Sequence, residues 1–144
     1  MREILFRGKR TLNGDWIEGL LWKKKYNYNR IFISYFPYQD DYEETYSVCP
    51  KTIGQYTGLT DKNGKKIFEG DIVKAKITEN KLTHTKKYEG IYTVKYHDKY
   101  CYFYLAKQGN NLLFDGNWDY FLSNIEVIGN IHDNPELLKE CEGK

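Results

Sequence analysis

The stretch from Thr52 to Val73 constrains this chain most. Glycines fall at 54, 58, 64 and 70, and Asn63-Gly64 separates the short apolar runs Tyr56–Leu59 and Ile67-Phe68. Both residues of an Asn-Gly pair tolerate positive φ, so the pair between strand-like runs predicts a tight hairpin. Glu69-Gly70 then forms a corner. Without a Cβ, Gly70 lets the chain turn sharply into the β-branched run Asp71–Ile77. This punctuation predicts short antiparallel strands.

The same reading extends along the chain. Glu3–Arg7 reads as a strand ending at Gly8, and Asn13-Gly14 leads into Trp16–Trp22 as a first hairpin. Arg30–Phe36, Ile91–Tyr96, Cys101–Ala106 and Ile125–Ile131 are further strands. His97-Asp98-Lys99 joins the strands on either side of it. Pro37–Tyr46 carries Asp40, Asp41, Glu43 and Glu44 and reads as a solvated loop. It lacks the alternating spacing of a calcium loop. Pro50 starts one helical turn through Ile53, and Trp118–Leu122 reads as a helical turn. Glu79–Gly90 reads as a polar loop or ribbon. Asn134 suits an N-cap and Pro135 a first helical position, so a short C-terminal helix follows, with Leu137 or Leu138 packed on the sheet. The expected fold is all-β with that one helix. Trp16, Ile17, Phe32, Ile72, Val73, Val94, Phe103, Ile128 and Ile131 form the expected core. The chain reads as a single domain over 1–144, with a subdivision between residues 49 and 50.

Composition narrows the classes. The 144 residues include 14 Tyr, 7 Phe and 3 Trp, which suits half-buried sheet faces and contact surfaces. Cys49, Cys101 and Cys141 form no C-x-x-C pair, and the three histidines lack metal-ligand spacing. Neither a disulfide framework nor a zinc site is expected, and no cofactor. The charged N-terminus does not read as a signal peptide, and no apolar run approaches a membrane span. A cytoplasmic location is expected. Net charge is +2, yet residues 1–30 hold eight Lys/Arg against three Asp/Glu, and residues 115–144 hold two against seven.

Three blocks carry a family signature: Arg2-Glu-Ile-Leu-Phe-Arg-Gly-Lys-Arg10; Gly54-Gln-Tyr-Thr-Gly-Leu59 with Phe68-Glu-Gly-Asp-Ile-Val73; and Glu126-Val-Ile-Gly-Asn-Ile-His-Asp-Asn-Pro135. In content and order they resemble the YopX family of phage and prophage proteins, over nearly the whole chain. The resemblance implies a mostly β pseudo-barrel and an origin in a bacteriophage or prophage, in a bacterial host cell. It carries over no catalytic or binding residues. Lys74–Ser123 lies outside the blocks and is the place for specificity to vary.

Catalytic motifs are sparse. Glu69 and Asp71 lie two apart and would share a face of a regular strand, an acid beside a base. The favoured reading is turn chemistry, with Asp71 accepting a backbone N–H at the corner. No G-x-S-x-G elbow or Walker phosphate loop occurs. An enzyme is the least supported class, and no catalytic residue is assigned. The leading reading is a non-enzymatic interaction protein with a protein partner, its own copies included. Its expected interaction surface is Lys23, Lys24, Lys25, Tyr26, Tyr28, Arg30 and Tyr56. The alternative is nucleic-acid binding through basic and aromatic residues, which adds Lys74, Lys76, Tyr96 and Tyr102.

The charge asymmetry suits a contact between copies, with aromatic anchors supplying most of the affinity. Sedimentation at several concentrations is therefore expected to show self-association that weakens only modestly with salt. A monomer across the micromolar range at low salt would make the asymmetry internal to the fold.

Overall fold

The computed structural model describes residues 3–23, 30–35, 44–81, 84–107, 111–113 and 124–139. Two compact units divide the chain, Met1–Gly58 and Leu59–Lys144. The boundary falls inside a strand, later than the subdivision expected at 49 and 50.

The first unit holds β1 (Phe6–Lys9), β2 (Trp16–Lys23), β3 (Ile31–Tyr35), β4 (Glu44–Val48), a 3₁₀ turn (Pro50–Thr52) and β5 (Gly54–Thr60), which runs on into the second unit. Its sheet order is β4-β3-β2-β1-β5, and β6 (Lys66–Phe68) adds beside β5 as its local hairpin return. The Asn13-Gly14 hairpin forms, as a loop longer than a two-residue turn, closed by Arg10 N–H donating to Asp15 O at 2.9 Å, with positive φ at Gly14 and not at Asn13. Gly14 adopts φ 75°, and Asp15 N–H donates to Asn13 Oδ1 at 3.1 Å. Two glycines then permit close strand packing. A Cβ on Gly8 would lie 3.1 Å from Val48 Cβ, and one on Gly19 would run into the Ser34 carbonyl. Ile33 and Val48 are buried beside these glycines.

The second unit holds β7 (Asp71–Lys81), β8 (His84–His97), β9 (Tyr102–Ala106), β10 (Leu112–Leu113), β11 (Ile125–Asn130) and helix α1 (Glu136–Lys139). The antiparallel order is β10-β9-β8-β7-β11. Alternation along the strands directs Val73, Ala75, Tyr92, Val94, Leu105, Ile125 and Val127 to one face, where they pack with Ile67 as a core. The β7–β8 ladder continues to Lys81 opposite His84, so residues 79–81 and 84–90 form a two-stranded ribbon.

A buried carboxylate ties this unit together. Asp61, 5% exposed, accepts from Asn63 N–H and Lys65 N–H through Oδ1 (2.8 and 2.9 Å) and from Val127 N–H through Oδ2 (2.9 Å). Burial would raise its pKa, but the donors from Val127, Lys65 and Asn63, with the Lys65 charge, hold it below the ordinary carboxylate value.

Among the described residues the fold is all-β with one short α-helix, as expected, and no closed barrel forms. Both strand orders have free ends, so the described strands form open sheets. Strand β4 begins at Glu44, inside the segment read as a loop, while Pro37–Glu43 and Trp118–Leu122 lie outside the described residues. Ile72, Val73 and Val94 are core, whereas Trp16, Ile17, Phe32, Phe103 and Ile128 are half-buried. Ile128 sits at a bulge between Val127 and Gly129, which takes it out of the ladder. Ile131 is 37% exposed because it lies in the turn beyond β11. Asn134 starts the helix with its carbonyl, accepting Leu137 N–H at 3.2 Å, but its side chain turns back to accept Asn130 N–H. Leu137 and Leu138 are half-buried, and α1 lies against β8.

Asp61→Asn should lower stability by about 1.5–3 kcal/mol at neutral pH, because its amide turns a donor toward a backbone N–H. The depressed pKa makes the Asp61 contribution fully present above the unfolded carboxylate value of about 3.9, and lost as pH falls through the lower folded value. Denaturant midpoints at pH 7 and pH 3 should show the gap between variant and parent closing in acid. Gly19→Ala should cost about 1–3 kcal/mol or more by forcing β2 off β3, measured the same way.

Candidate functional site

Sequence-local hairpin geometry builds an aromatic site of mixed charge on the first unit. The β1–β2 register sets Lys9 opposite Trp16 and Arg7 opposite Glu18. Arg7 and Lys9 lie two apart on one strand and so share a face. The Arg7 guanidinium stands 4.8 Å from the Trp16 ring centre and Lys9 Nζ 5.5 Å from it. Such pairs are worth about 0.5–1 kcal/mol each at exposed sites. Arg10 lies over the Tyr46 ring at 4.0 Å, and Tyr46 Oη donates to Glu44 Oε2 at 2.5 Å. Arg10, Trp16, Ile17 and Tyr46, with the carboxylates of Asp15, Glu18 and Glu44, line an open depression of about 520 Å³.

The lining combines aromatic rings, one guanidinium and three carboxylates. Trp, Tyr and Arg are the residue types that most often anchor protein contacts. Three carboxylates around one lining guanidinium disfavour a polyanion at this place. Among the described residues no three His, Cys, Asp or Glu side chains gather as a metal set.

The residues singled out from sequence separate in space. Lys23 ends β2 and Arg30 immediately precedes β3, both exposed. Lys24, Lys25, Tyr26 and Tyr28 lie outside the described residues. Tyr56 is 7% exposed, and its N–H donates to Leu5 O at 2.8 Å, so it belongs to the interior and not to a contact surface. Lys74, Lys76 and Tyr102 share one face of the second sheet, while Tyr96 stands on the opposite face with Phe103. At the corner, Asp71 is buried and accepts Phe68 N–H through Oδ2 at 2.8 Å, which is turn chemistry. The Arg7–Trp16 contact was within reach of sequence reading, because the Asn-Gly hairpin fixes that register. Tyr46 was not, since β4 reaches Arg10 only through strand pairing across the sheet.

The hydrogen bond to Glu44 holds the Tyr46 phenol above its ordinary pKa, with partial desolvation and the Glu44 charge adding to it and Arg10 opposing. Glu44→Gln should bring the Tyr46 titration down and Arg10→Ala should move it up, read from the Tyr46 ring carbon in an NMR pH titration.

The three signature blocks turn out to be seams of the fold. The first and second meet directly, Phe6 opposite Gln55 and Arg7 opposite Gly54. The second and third meet where Ile131 N–H donates to Gly70 O at 2.9 Å, with Gly70 at φ 84°. Within the third, a Cβ on Gly129 would come 2.5 Å from Asn134 Oδ1, and Asn130 Oδ1 accepts from His132 and Asp133 N–H at 3.0 Å each.

Comparison with known proteins agrees with these seams. The family described as YopX protein matches residues 5–139. No curated protein matches the chain. Among solved structures, the crystal structure of protein EF1440 from Enterococcus faecalis is similar. It is 27% identical, with a TM-score of 0.56, and the match covers 96% of this chain and 99% of that one. With the matched region spanning nearly its whole length, the chain belongs to the YopX family.

Proposed function

We propose that this YopX-family protein is encoded by a phage or prophage and acts as a non-enzymatic interaction protein in the cytoplasm of a bacterial host. Its partner is a protein, and its own copies are included among the partners. The observation that carries this reading is the open depression where Arg10, Trp16 and Tyr46 stand among Asp15, Glu18 and Glu44. Rigid aromatic anchors supply affinity there, and the mixed charge supplies orientation. The corner carboxylate Asp71 is engaged with backbone, which supports a structural role for the Glu69–Asp71 pair.

Affinity capture from induced host cells tests the reading, with nuclease-treated and untreated arms. A protein partner should survive nuclease and be lost with Arg10→Ala or Trp16→Ala, each expected to weaken binding by about 1–2 kcal/mol or more. Recovery of nucleic acid alone, or capture indifferent to both substitutions, would defeat it.

A further inference from the structure

A second surface, on the other unit, has different chemistry. His97 ends β8 opposite Tyr102, and Lys95 lies opposite Tyr104. Alternation puts all four on the sheet face away from the Val73–Val94–Leu105 core. The β8–β9 turn adds Tyr100, which is 60% exposed. His97 packs at the centre of the three tyrosines, 4.9 Å from the Tyr100 ring, 5.3 Å from Tyr102 and 6.2 Å from Tyr104. The Tyr100 and Tyr102 rings are nearly parallel, at 9° with centres 6.3 Å apart. The turn that presents Tyr100 is held by Cys101 at φ 54°, whose N–H donates to His97 O at 2.8 Å. A non-glycine residue in that conformation is itself uncommon.

The same face is basic. Lys74 lies opposite Ile91 and Lys76 opposite Glu89, and register carries both onto the face of Lys95. All three lysines are exposed. Lys99 lies over the Tyr100 ring at 5.3 Å. Against them stand Glu89, Glu126 and, in the turn itself, the exposed Asp98; Glu126 is paired with Lys62 at 2.7 Å. The balance is positive: Lys95 and Lys99 adjoin the rings, and Lys74 and Lys76 lie farther along the sheet on β7, beyond the buried Ile72–Thr93 pair.

We propose that this face binds single-stranded nucleic acid, stacking bases on Tyr100, Tyr102 and Tyr104 and meeting backbone phosphates with Lys74, Lys76 and Lys95. Stacking on aromatic side chains needs bases freed from a duplex, and flanking lysines track the backbone. Charge complementarity selects this occupant: a protein partner has no general need of lysines along a ring array, whereas a polyphosphate chain does. The inference is independent of the Arg10–Trp16–Tyr46 depression, which lies on the other unit.

Fluorescence anisotropy with labelled 15-nucleotide oligo-dT and oligo-U, and a duplex of equal length, tests it. The single strands should bind more tightly than the duplex. Affinity should fall with salt with a log–log slope of about −2, the value for three phosphates neutralised on a single strand. Tyr100→Ala, at an exposed position, and Tyr102→Ala should each weaken binding at least about fivefold, while Tyr102→Phe keeps it. Lys95→Ala should flatten the slope by about 0.7. Arg10→Ala should leave oligonucleotide binding unchanged. Circular dichroism melts confirm that each variant is folded. No binding at tens of micromolar in low salt, equal binding of duplex, or indifference to Tyr100→Ala would overturn the proposal. So would a protein partner whose capture requires Tyr100 while no oligonucleotide binds, which would make this a protein-binding face.

Discussion

The Asp61 carboxylate is the interaction on which the second unit depends. It closes its own turn by accepting two N–H groups and reaches across 66 positions to the backbone of β11. An ionised, buried carboxylate is tolerated only when donors replace its water. Here the donors are backbone N–H groups, two from the exposed turn and the buried one of Val127, so carboxylate and backbone satisfy each other. That exchange pins the β5–β6 turn to the strand beside β7, and Lys62 N–H donating to Ile125 O at 3.0 Å repeats the link one step along.

The family signature acquires a physical meaning from this arrangement. Its glycines and short polar residues stand where strands approach closely or turn sharply. Gly8 gives Val48 room, Gly70 turns at positive φ and bonds both Val94 and Ile131, and Gly129 leaves space for Asn134. Asp71 and Asn130 accept backbone N–H groups at corners. These residues act on the protein's own backbone and packing. The two surfaces proposed for binding lie outside these seams. One is built on the first hairpin and β4, the other on the β8–β9 turn inside the segment that the signature leaves out.

The two surfaces differ in charge, which is the ground for proposing different occupants for them. Around Arg10 the carboxylates outnumber the cations lining the depression. Around Tyr102 the lysines outnumber the carboxylates, one of which is already paired. A modest net charge of +2 therefore conceals two local fields of different character. Association responds to the field at the contact and not to the total.

By itself the sequence determined the local part of this protein. Both Asn-Gly hairpins, the Gly70 corner, the all-β class, the Ile72–Val73 and Val94 core and the C-terminal turn follow from φ preferences and from period-two alternation, which act over a few residues. The signature blocks identified the family for the same reason, being runs of contiguous residues. Tertiary structure decided the rest. Tyr56 reads as an exposed aromatic between glycines, but pairing of β5 with β1 buries it. Ile131 reads as the end of an apolar run, but the bulge and turn expose it. Arg10 meets Tyr46, and Lys74 comes onto the face of Tyr102, only through strand register set by partners far along the chain. A one-residue slip would send each of those side chains to the opposite face, so no local pattern could have placed them.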